Sequence, residues 1–312
     1  MNANASGARL EPVAAKTLTV VPLRHPWRWV AVGIVLLGLA GLTASVVTNP
    51  QFQWPVVASY LFHERILNGL TMTIILTVVV MILATIIGTI AALMMISDSK
   101  LLSLPAALFV WLFRGSPALV QLMLWYNLSL VFRSITLWIP GVGTVFSIDT
   151  NSLMTPMTAA IIALSLHEAG YMAEIVRGGL KSVSNGQTEA AASLGMKPSL
   201  LLRRIVLPQA MRMIIPPTGN ETINLLKTTS LVSIIAVSDL LYSAQSIYAR
   251  TFETIPLLIV VTIWYLAVVS VMSVGQYYLE RNFSRDETHV AIGPLTRVFG
   301  NLFSLRTKET RA

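Results

Sequence analysis

The chain has 312 residues, of which 54% are hydrophobic and only 12% are charged. A soluble globular domain has roughly 25% charged residues, and a soluble fold would have to bury several apolar runs of about 20 residues, each long enough to cross a bilayer. The composition therefore predicts an integral membrane protein. Because the sequence contains no cysteine, disulfide bonds and cysteine-based metal sites are excluded.

The first apolar run covers residues 29–47 and follows a polar segment, residues 1–28. A signal peptide is the alternative interpretation, but the run is long and the polar segment before it is extended, so a retained membrane anchor is favoured. A short apolar run at residues 101–113 is expected to lie in the interface or to form the lower part of the third span. The remaining spans are predicted at residues 70–96, 117–131, 157–175, 213–237 and 257–278.

The basic residues predict the orientation of these six spans. If both termini are cytoplasmic, the outer loops contain only Arg65, Arg133 and Arg250, and the inner segments contain nearly all the other lysines and arginines. Cytoplasmic loops are enriched in these residues, so we expect both termini to be cytoplasmic, including a C-terminal tail at residues 282–312. The net charge of +8 then follows from topology, and no nucleic-acid partner is expected. The predicted fold class is an all-α integral membrane protein with six transmembrane helices.

The longest polar interruption between two spans covers residues 182–209. Its pattern predicts a helix at residues 187–194, which Gly195 ends because glycine readily adopts the left-handed conformation of a helix C-terminus. A second short helix is expected after Pro198, a residue suited to the first helical turn, and Pro208 is expected to stop it. The segment is therefore predicted to form two short cytoplasmic helices.

The first of these two helices has features of a docking surface. Ala190, Ala191 and Ala192 give it a nearly bare side, which would let another protein approach its backbone closely. Glu189 is expected near the helix start, where a negative charge interacts favourably with the helix dipole. These features alone leave two interpretations open, a docking element and an ordinary helical loop.

Seven residues of this segment stand at fixed offsets, in the pattern Glu-Ala-Ala, three residues, Gly, nine residues, Ile, one residue, Leu-Pro. They are Glu189, Ala190, Ala191, Gly195, Ile205, Leu207 and Pro208. The spacing resembles the signature loop of ABC-importer membrane subunits. In that family the loop forms coupling helices that bind a separate ATPase subunit, and the resemblance implies the same role for these residues and for Gln187. The chain lacks the phosphate-binding pattern Gly-x-x-x-x-Gly-Lys-Ser/Thr, so ATP and Mg²⁺ are expected on the partner ATPase and no cofactor is expected here.

Five further stretches narrow the resemblance. They are "NGLTMTIILT" from Asn68, "FRGSPALVQL" from Phe113, "GYMAEIVRGGL" from Gly170, "LPQA" from Leu207 and "NETINLLKTTSL" from Asn220. In this order they resemble the permeases of the histidine, glutamine and arginine importer type, over residues 66–281. The resemblance implies a five-helix permease core in a bacterial inner membrane, to which residues 29–47 add one N-terminal transmembrane helix.

The resemblance also implies a function and partners. The function is ATP-driven uptake of a polar amino acid or a related small zwitterionic solute. The partners are a dimer of ATPase subunits, an extracytoplasmic solute-binding protein, a second permease subunit of the same or a related kind, and membrane lipid. An ion-coupled secondary transporter that uses Glu221 and Lys227 as its coupling pair is the alternative; an inverted repeat of broken helices would favour it, and the sequence shows no convincing repeat.

The fifth predicted span contains several polar residues. Lys227 lies inside it, with Asn220 and Glu221 about two turns earlier, and ionisable residues inside a membrane usually face the bundle interior or a wet cavity. One interpretation is a structural Glu221–Lys227 pair; the other is a substrate path that holds the carboxylate and ammonium groups of a solute. Thr228 stands where the family usually has Asp, so the resemblance does not imply a cationic solute. The candidate path residues are Gln121, Asn220, Glu221, Lys227, Thr228, Thr229 and Ser230.

Three charged residues elsewhere are candidates for a gate or for structural roles. Arg114 directly precedes the helix-breaking residues 115–117, and it could be a snorkelling anchor at the cytoplasmic interface or could order or gate the helices. Glu174 and Arg177 are three residues apart near the inner end of the fourth span, which suits an intrahelical ion pair. That pair is expected to be structural or to belong to an inner gate.

A metal site is not expected. His167 and Glu168 begin the His-Glu-x-x-His pattern of zinc metalloproteases, but Tyr171 occupies the position of the second histidine. The sequence shows no Gly-x-Ser-x-Gly nucleophile motif either. The chain is therefore predicted not to be an enzyme.

Overall fold

The structure is a computed structural model and describes residues 26–141 and 143–283. The predicted N-terminal segment, residues 1–28, and the C-terminal tail, residues 282–312, lie almost entirely outside this part of the chain. The helices are α1 (Pro26–Thr48), α2 (Trp54–Leu61), α3 (Glu64–Ile96), α4 (Lys100–Gly115), α5 (Ala118–Tyr126), α6 (Leu128–Val131), α7 (Thr150–Leu153), α8 (Pro156–Lys181), α9 (Asn185–Ser193), α10 (Pro198–Leu201), α11 (Leu207–Thr228), α12 (Leu240–Thr251) and α13 (Thr254–Phe283). Two strands, β1 (Ser134–Ile139) and β2 (Gly143–Asp149), 3-10 helices at Pro50–Phe52 and Thr229–Ile235, and a π-helix at Leu202–Val206 complete the description.

Helix α1 belongs to a first structural unit, Met1–Phe52. It contains the predicted span at residues 29–47, and its part Val30–Thr48 is long and apolar enough to cross a membrane. Thr43 and Thr48 donate their hydroxyls to carbonyl oxygens one turn earlier, at 2.8 Å each. Since a spanning helix must satisfy its polar groups internally, α1 has the properties of a membrane anchor.

The second unit, Gln53–Ala312, is organised around α8. This helix packs along α3, α4, α5 and α11, and its buried face consists largely of small residues such as Ala163 and Ala169. The packing is close, because a Cβ atom added to Gly88 of α3 would lie only 2.8 Å from the carbonyl oxygen of Ala169. Small residues at such contacts are typical of helices that associate within a membrane.

A second apolar cluster lies where α2, α12 and α13 pack with the first turns of α3. Its buried members include Val57, Ile66, Leu240 and Leu257. The indole N–H of Trp264 donates to the carbonyl oxygen of Leu61 at 2.7 Å, which ties α13 to α2. The start of α3 is thus packed into this apolar cluster.

Two helix pairs are bent rather than straight. α4 and α5 meet at 102°, at a break where Ser116 is extended (φ −104°, ψ 146°) because it precedes Pro117. α4 and α5 therefore form one bent pair, in which α4 comes first and α5 lies within the third predicted span. The helical segment Pro198–Ile235 meets α12 at 43°, next to Ala236, which has a positive φ of 60°.

The number of membrane spans follows from these bends. α1, α3, α8 and α13 are each long and apolar enough to cross a membrane, and the number rises to six if each bent pair is one span. The predicted helical membrane fold is confirmed. The predicted count of six equals the upper end of the range that the described helices allow.

The all-α prediction missed one element, a β-hairpin in the predicted outer loop. Strands β1 and β2 are antiparallel, with Ile135 opposite Ile148 and Leu137 opposite Phe146. Apolar and polar residues alternate over residues 134–137 and 146–149, which is the periodicity of a strand, and Gly141 at the tight connection has a positive φ of 85°. The predicted outer loop between the third and fourth spans therefore contains a β-hairpin.

Candidate functional site

The predicted coupling segment, residues 182–209, folds as two helices joined by a tight turn. Helix α9 ends in a Schellman motif, in which the Met196 N–H bonds to the Ala191 carbonyl (3.1 Å) and the Gly195 N–H bonds to the Ala192 carbonyl (2.9 Å). Gly195 has a φ of 74°, the left-handed conformation for which glycine is the usual choice. The predicted role of Gly195 as the residue that ends the helix is confirmed.

Helix α9 begins two residues earlier than predicted. Its first residue is Asn185 and Ser184 precedes it as the N-cap residue, so the first turn contains no acidic residue and Glu189 lies in the middle. The predicted dipole effect on Glu189 is wrong, because that effect fades within the first turn. The Glu189 side chain is exposed and is free to contact another molecule.

The prediction that Pro208 stops the second helix is also wrong. α10 runs through the π-helix Leu202–Val206 directly into α11, and Leu207 has helical angles (φ −58°, ψ −46°). A proline lacks the amide hydrogen and displaces the preceding turn, and a π-turn is one of the irregularities that accommodate such a disruption. A single helical segment, Pro198–Ile235, therefore connects the coupling segment with the fifth predicted span.

Specific contacts hold α9 against the start of this segment. The Gln209 side-chain amide donates to the Gln187 side-chain oxygen and to the Ile205 carbonyl, at 3.0 Å each, and Ala191 is buried. Leu194, which the sequence analysis did not single out, is 83% exposed. The other predicted coupling residues are accessible: Glu189, Ala190, Gly195, Leu207 and Pro208 are exposed, and Ile205 is half-buried. The segment thus presents a continuous surface that the rest of the described chain does not cover.

Arg114 packs beside the middle of α8. Its backbone packs against Gly170 of α8, about 16 Å from the helix end at Lys181 and about 21 Å from the end at Pro156 at 1.5 Å per residue. The guanidinium lies 5.5 Å from the centre of the Tyr171 ring, a cation–π contact. This position puts an exposed cation beside the middle of α8, and the anchor and the gating or helix-ordering role of Arg114 both stay predictions.

The side chain of Gln121 bridges residues on both sides of the bend between α4 and α5. Its amide nitrogen lies 2.8 Å from the Phe113 carbonyl, 2.9 Å from the Ser116 hydroxyl and 3.1 Å from His167 Nδ1. His167 Nδ1 also lies 3.1 Å from the Phe113 carbonyl. Gln121 is buried, so in this structure it braces the bend against α8, and its place on a substrate path stays a prediction.

The predicted path residues on and just after α11, residues 220–230, are here called the polar stripe, and they are only partly accessible. Asn220 and Lys227 are exposed and Glu221 is half-buried, and no ion pair joins Glu221 to Lys227 in the structure. Asn224 is exposed as well; it was not among the predicted path residues, although its spacing from Asn220 and Lys227 puts it on the same helix face. The structural pair expected as one alternative is therefore not formed, and the exposed amides and cation stand side by side.

The hydroxyl residues at the end of the stripe point in different directions. Thr229 is fully buried and donates to the Leu226 carbonyl at 2.7 Å, so it does not line an accessible surface in this structure. Thr228 and Ser230 are half-buried and donate to carbonyl oxygens of their own helix, at 3.0 and 2.8 Å. Their hydroxyl protons are therefore engaged in these bonds, and toward a solute the hydroxyl oxygens can act only as hydrogen-bond acceptors.

Glu168 is a polar residue that sequence reasoning treated only as part of a failed zinc motif. It is buried, its Oε1 atom has no hydrogen-bond partner, and its carboxyl group lies close enough to Glu221 to interact electrostatically. A buried charged residue without a full set of partners is costly. Its position inside a predicted span was the signal that could have identified it, and with Glu221 it forms an acidic pair between α8 and α11.

Glu174 and Arg177 form the intrahelical ion pair that was predicted. The Arg177 Nε atom donates to Glu174 Oε2 at 3.0 Å, and a second guanidinium nitrogen contacts the same oxygen. The prediction of a pair is confirmed, and its role in an inner gate stays a prediction. Within the described ranges, no group of three or more metal-ligating side chains could hold a metal ion.

The chain matches a known family over most of the second unit. Residues 84–285 match the family described as the inner membrane component of binding-protein-dependent transport systems. The chain belongs to this family. The matched range contains the coupling segment, the acidic pair and the polar stripe, so all three are parts of a transport-system membrane component.

Several relatives of this membrane component have curated names. It is 45% identical over 286 residues, 91% of this chain and 87% of that protein, to the arginine transport system permease protein of Corynebacterium glutamicum. It is 35% identical to the nopaline transport system permease protein of Agrobacterium fabrum, over 67% of this chain and 83% of that protein. It is also 33% identical to the L-cystine transport system permease protein of Bacillus subtilis, over 75% and 89%.

Solved structures agree with this family. A chain of the crystal structure of an amino acid ABC transporter with histidines is 32% identical, with a TM-score of 0.61, and the match covers 71% of this chain and 95% of that one. A chain of the inward-facing methionine ABC transporter shares the fold, with a TM-score of 0.53 at 16% identity. These findings support the permease prediction, and none of them supports the alternative of an ion-coupled secondary transporter.

Proposed function

We propose that this membrane component takes up a basic amino acid as part of an ATP-driven importer. The observation that carries the proposal is the continuous helical segment Pro198–Ile235. At one end it continues the exposed coupling segment, and further along it carries Asn220, Glu221 and Lys227. A partner that moves the coupling segment would therefore move the polar stripe through one helical segment, in which Pro216 and Pro217 are accommodated without a break.

The energy in this proposal comes from a dimer of ATPase subunits that bind the coupling segment. The exposed surface combines the small or apolar side chains of Ala190 and Leu194 with the carboxylate of Glu189, and the Schellman turn at Gly195 fixes the angle between its two helices. Closure of the ATPase dimer would push on this surface. Because Gln187 and Gln209 tie α9 to α11, the push would reach α11 directly.

A second permease subunit is needed to complete the site. Asn220, Asn224 and Lys227 form an exposed polar face on α11, and such a face is expensive in contact with lipid. A second subunit, identical or related, would cover this face and enclose a wet path between the two chains. The relatives named above as transport-system permeases are consistent with such an assembly.

The charged groups near the middle of the bundle suggest the class of solute. Lys227 and Arg114 are cations that can bind an α-carboxylate, and Glu221 can accept hydrogen bonds from an α-ammonium group. Glu168 adds a second acidic group behind Glu221; because it is buried, it would favour a second positive charge on the solute through its electrostatic effect at Glu221 rather than by direct contact. This acidic pair would compensate for the aspartate that the family usually has at the position of Thr228. The 45% identity to an arginine permease points to the same class of solute, a basic amino acid.

Reconstitution tests the proposal. The chain is assembled in proteoliposomes with its ATPase subunits and solute-binding protein, and uptake of labelled arginine and glutamine is measured with and without ATP inside. We expect ATP-dependent uptake in which arginine is preferred and which an ionophore does not abolish. Uptake that needs an ion gradient and ignores ATP would contradict the proposal.

A further inference from the structure

The helical segment Pro198–Ile235 contains two consecutive prolines, Pro216 and Pro217, between the coupling segment and the polar stripe. Neither proline has an amide hydrogen, so neither can donate the helical hydrogen bond to the carbonyl oxygen four residues earlier. Prolines inside a helix are a common cause of kinks, yet α11 continues through this turn as one helix. The two prolines thus mark the point at which a push from the coupling segment would most readily be lost as bending.

A glutamine of the neighbouring helix α13 contacts this turn directly. The Gln276 side-chain amide donates to the Pro216 carbonyl oxygen at 2.7 Å and to Glu280 Oε1 at 2.8 Å. Both partners are acceptors, so the amide nitrogen of Gln276, and not its oxygen, must face them. Because Glu280 lies one turn after Gln276 on α13, it holds the amide in the direction of Pro216.

Gly219 makes room for this contact. The place that a Cβ atom would take at Gly219 is already occupied by the side-chain amide of Gln276. Glycine inside a helix is unfavourable, and the close approach of Gln276 gives a physical reason for it at this position. The group of Pro216, Gly219, Gln276 and Glu280 is here called the proline clamp.

We propose that Gln276 is a positioning residue of transport: through the proline clamp it keeps the turn at Pro216 in line, so that motion of the coupling segment reaches the polar stripe instead of bending α11. α13 is suited to this role because it is itself held in place, since the Trp264 indole is hydrogen-bonded to α2. The inference rests on the proposed function, because it names the residue that carries the ATPase-driven motion past the prolines.

Two substitutions disturb the proline clamp in different ways. Gln276→Leu removes both donated hydrogen bonds and keeps a side chain of similar size, whereas Gly219→Ala keeps the amide and forces it away from Pro216. Uptake of labelled arginine and ATP hydrolysis are measured together in proteoliposomes that contain the complete importer. We expect uptake per hydrolysed ATP to fall about fivefold in each variant, the factor by which the net loss of one hydrogen bond shifts an equilibrium between a straight and a bent segment. The rate of ATP hydrolysis and the KM for arginine should stay close to those of the parent.

Three further variants sharpen the test. Gln276→Lys should keep most of the uptake per hydrolysed ATP, because a lysine ammonium can donate to both the Pro216 carbonyl and the Glu280 carboxylate. Gly275→Ala is the matched control for Gly219→Ala and should have no effect, because a Cβ atom added there would meet no other part of the described chain within 4 Å. The double variant Gly219→Ala plus Gln276→Leu should lose no more than the stronger single variant, since both changes remove the same contact.

Three outcomes would overturn the inference. Uptake per hydrolysed ATP could stay at the parent's value in the leucine variant. Uptake and ATP hydrolysis could fall by the same factor, which would make the proline clamp a requirement for folding or assembly only. The two single losses could multiply in the double variant, which would mean that they do not act through one contact. Failure of the proposed function is distinguishable, because then the parent complex itself would show no ATP-driven uptake.

Discussion

The two polar regions of this molecule are built in different ways. The coupling segment around Gly195 is made by residues close in sequence, and its turn is closed by local backbone hydrogen bonds. The polar groups in the middle of the chain depend instead on helix packing: Arg114 of α4 packs against Gly170 of α8, and Glu168 of α8 interacts electrostatically with Glu221 of α11. A single substitution at the turn can therefore disrupt the whole coupling segment, whereas each substitution of a charged residue in the second region alters only one interaction.

The largest effect is expected from Gly195→Val. A β-branched residue in a left-handed conformation costs on the order of 1–3 kcal/mol, and α9 would lose its fixed angle to α10. We expect ATP-driven uptake to fall at least about tenfold and the ATPase subunits to be lost on purification. Gly195→Asn is the matched control, because asparagine tolerates this conformation; unchanged uptake in the valine variant would refute the role of the turn.

A smaller but selective effect is expected from Lys227→Ala. Removal of the exposed cation should reduce uptake about tenfold, since a charge-assisted hydrogen bond contributes roughly 1.5–3 kcal/mol, while the ATPase subunits still co-purify. Lys227→Arg should keep part of the activity. Wild-type affinity for the solute in the alanine variant would mean that the stripe on α11 is structural.

The acidic pair is tested by Glu168→Gln, which keeps the shape of the side chain and removes its charge. We expect uptake of arginine to fall severalfold relative to uptake of glutamine, because only the basic solute uses the second carboxylate. Competition between the two labelled amino acids measures this ratio. If both rates fall equally, Glu168 has no part in selecting the charge of the solute.

The smallest effect on transport is expected at the bend between α4 and α5. Gln121→Leu leaves the Phe113 carbonyl and His167 without the Gln121 amide, a loss of about 1–3 kcal/mol. The melting temperature of the purified protein should therefore drop by several degrees. Leu124→Ala, an exposed side chain on α5, is the control and should change stability by no more than about 0.5 kcal/mol. An equal melting temperature for both variants would show that Gln121 does not brace the bend.

The sequence predicted what depends on local rules. Gly195 was identified because a left-handed helix end needs glycine, and the ion pair of Glu174 and Arg177 because neighbours three residues apart meet on a helix. The apolar runs were sufficient to locate the long helices. The alternation around Leu137 and Phe146 was also visible, but an apolar loop next to a span was not considered as a hairpin.

What the sequence could not supply depends on tertiary packing. The position of Arg114 beside the middle of α8 follows from its contact with Gly170, which lies on another helix. The burial of Thr229 and the pairing of Glu168 with Glu221 depend on which face of each helix meets its neighbour. The error at Pro208 has a different origin, since a π-turn can carry a helix through a proline and has no reliable sequence signal.

The central claim is that one rigid helix joins the coupling segment to the polar stripe. Because the chain contains no cysteine, spin labels can be placed by Ser199→Cys and Asn224→Cys, about 37 Å apart along a helix at 1.5 Å per residue. The labelled chain is diluted with unlabelled chain, and the distance is measured in the importer without nucleotide and with bound ATP. We predict one narrow distance that is the same in both states, while a pair at Ser199 and Leu130 changes; a broad or shifted Ser199–Asn224 distance would contradict the account.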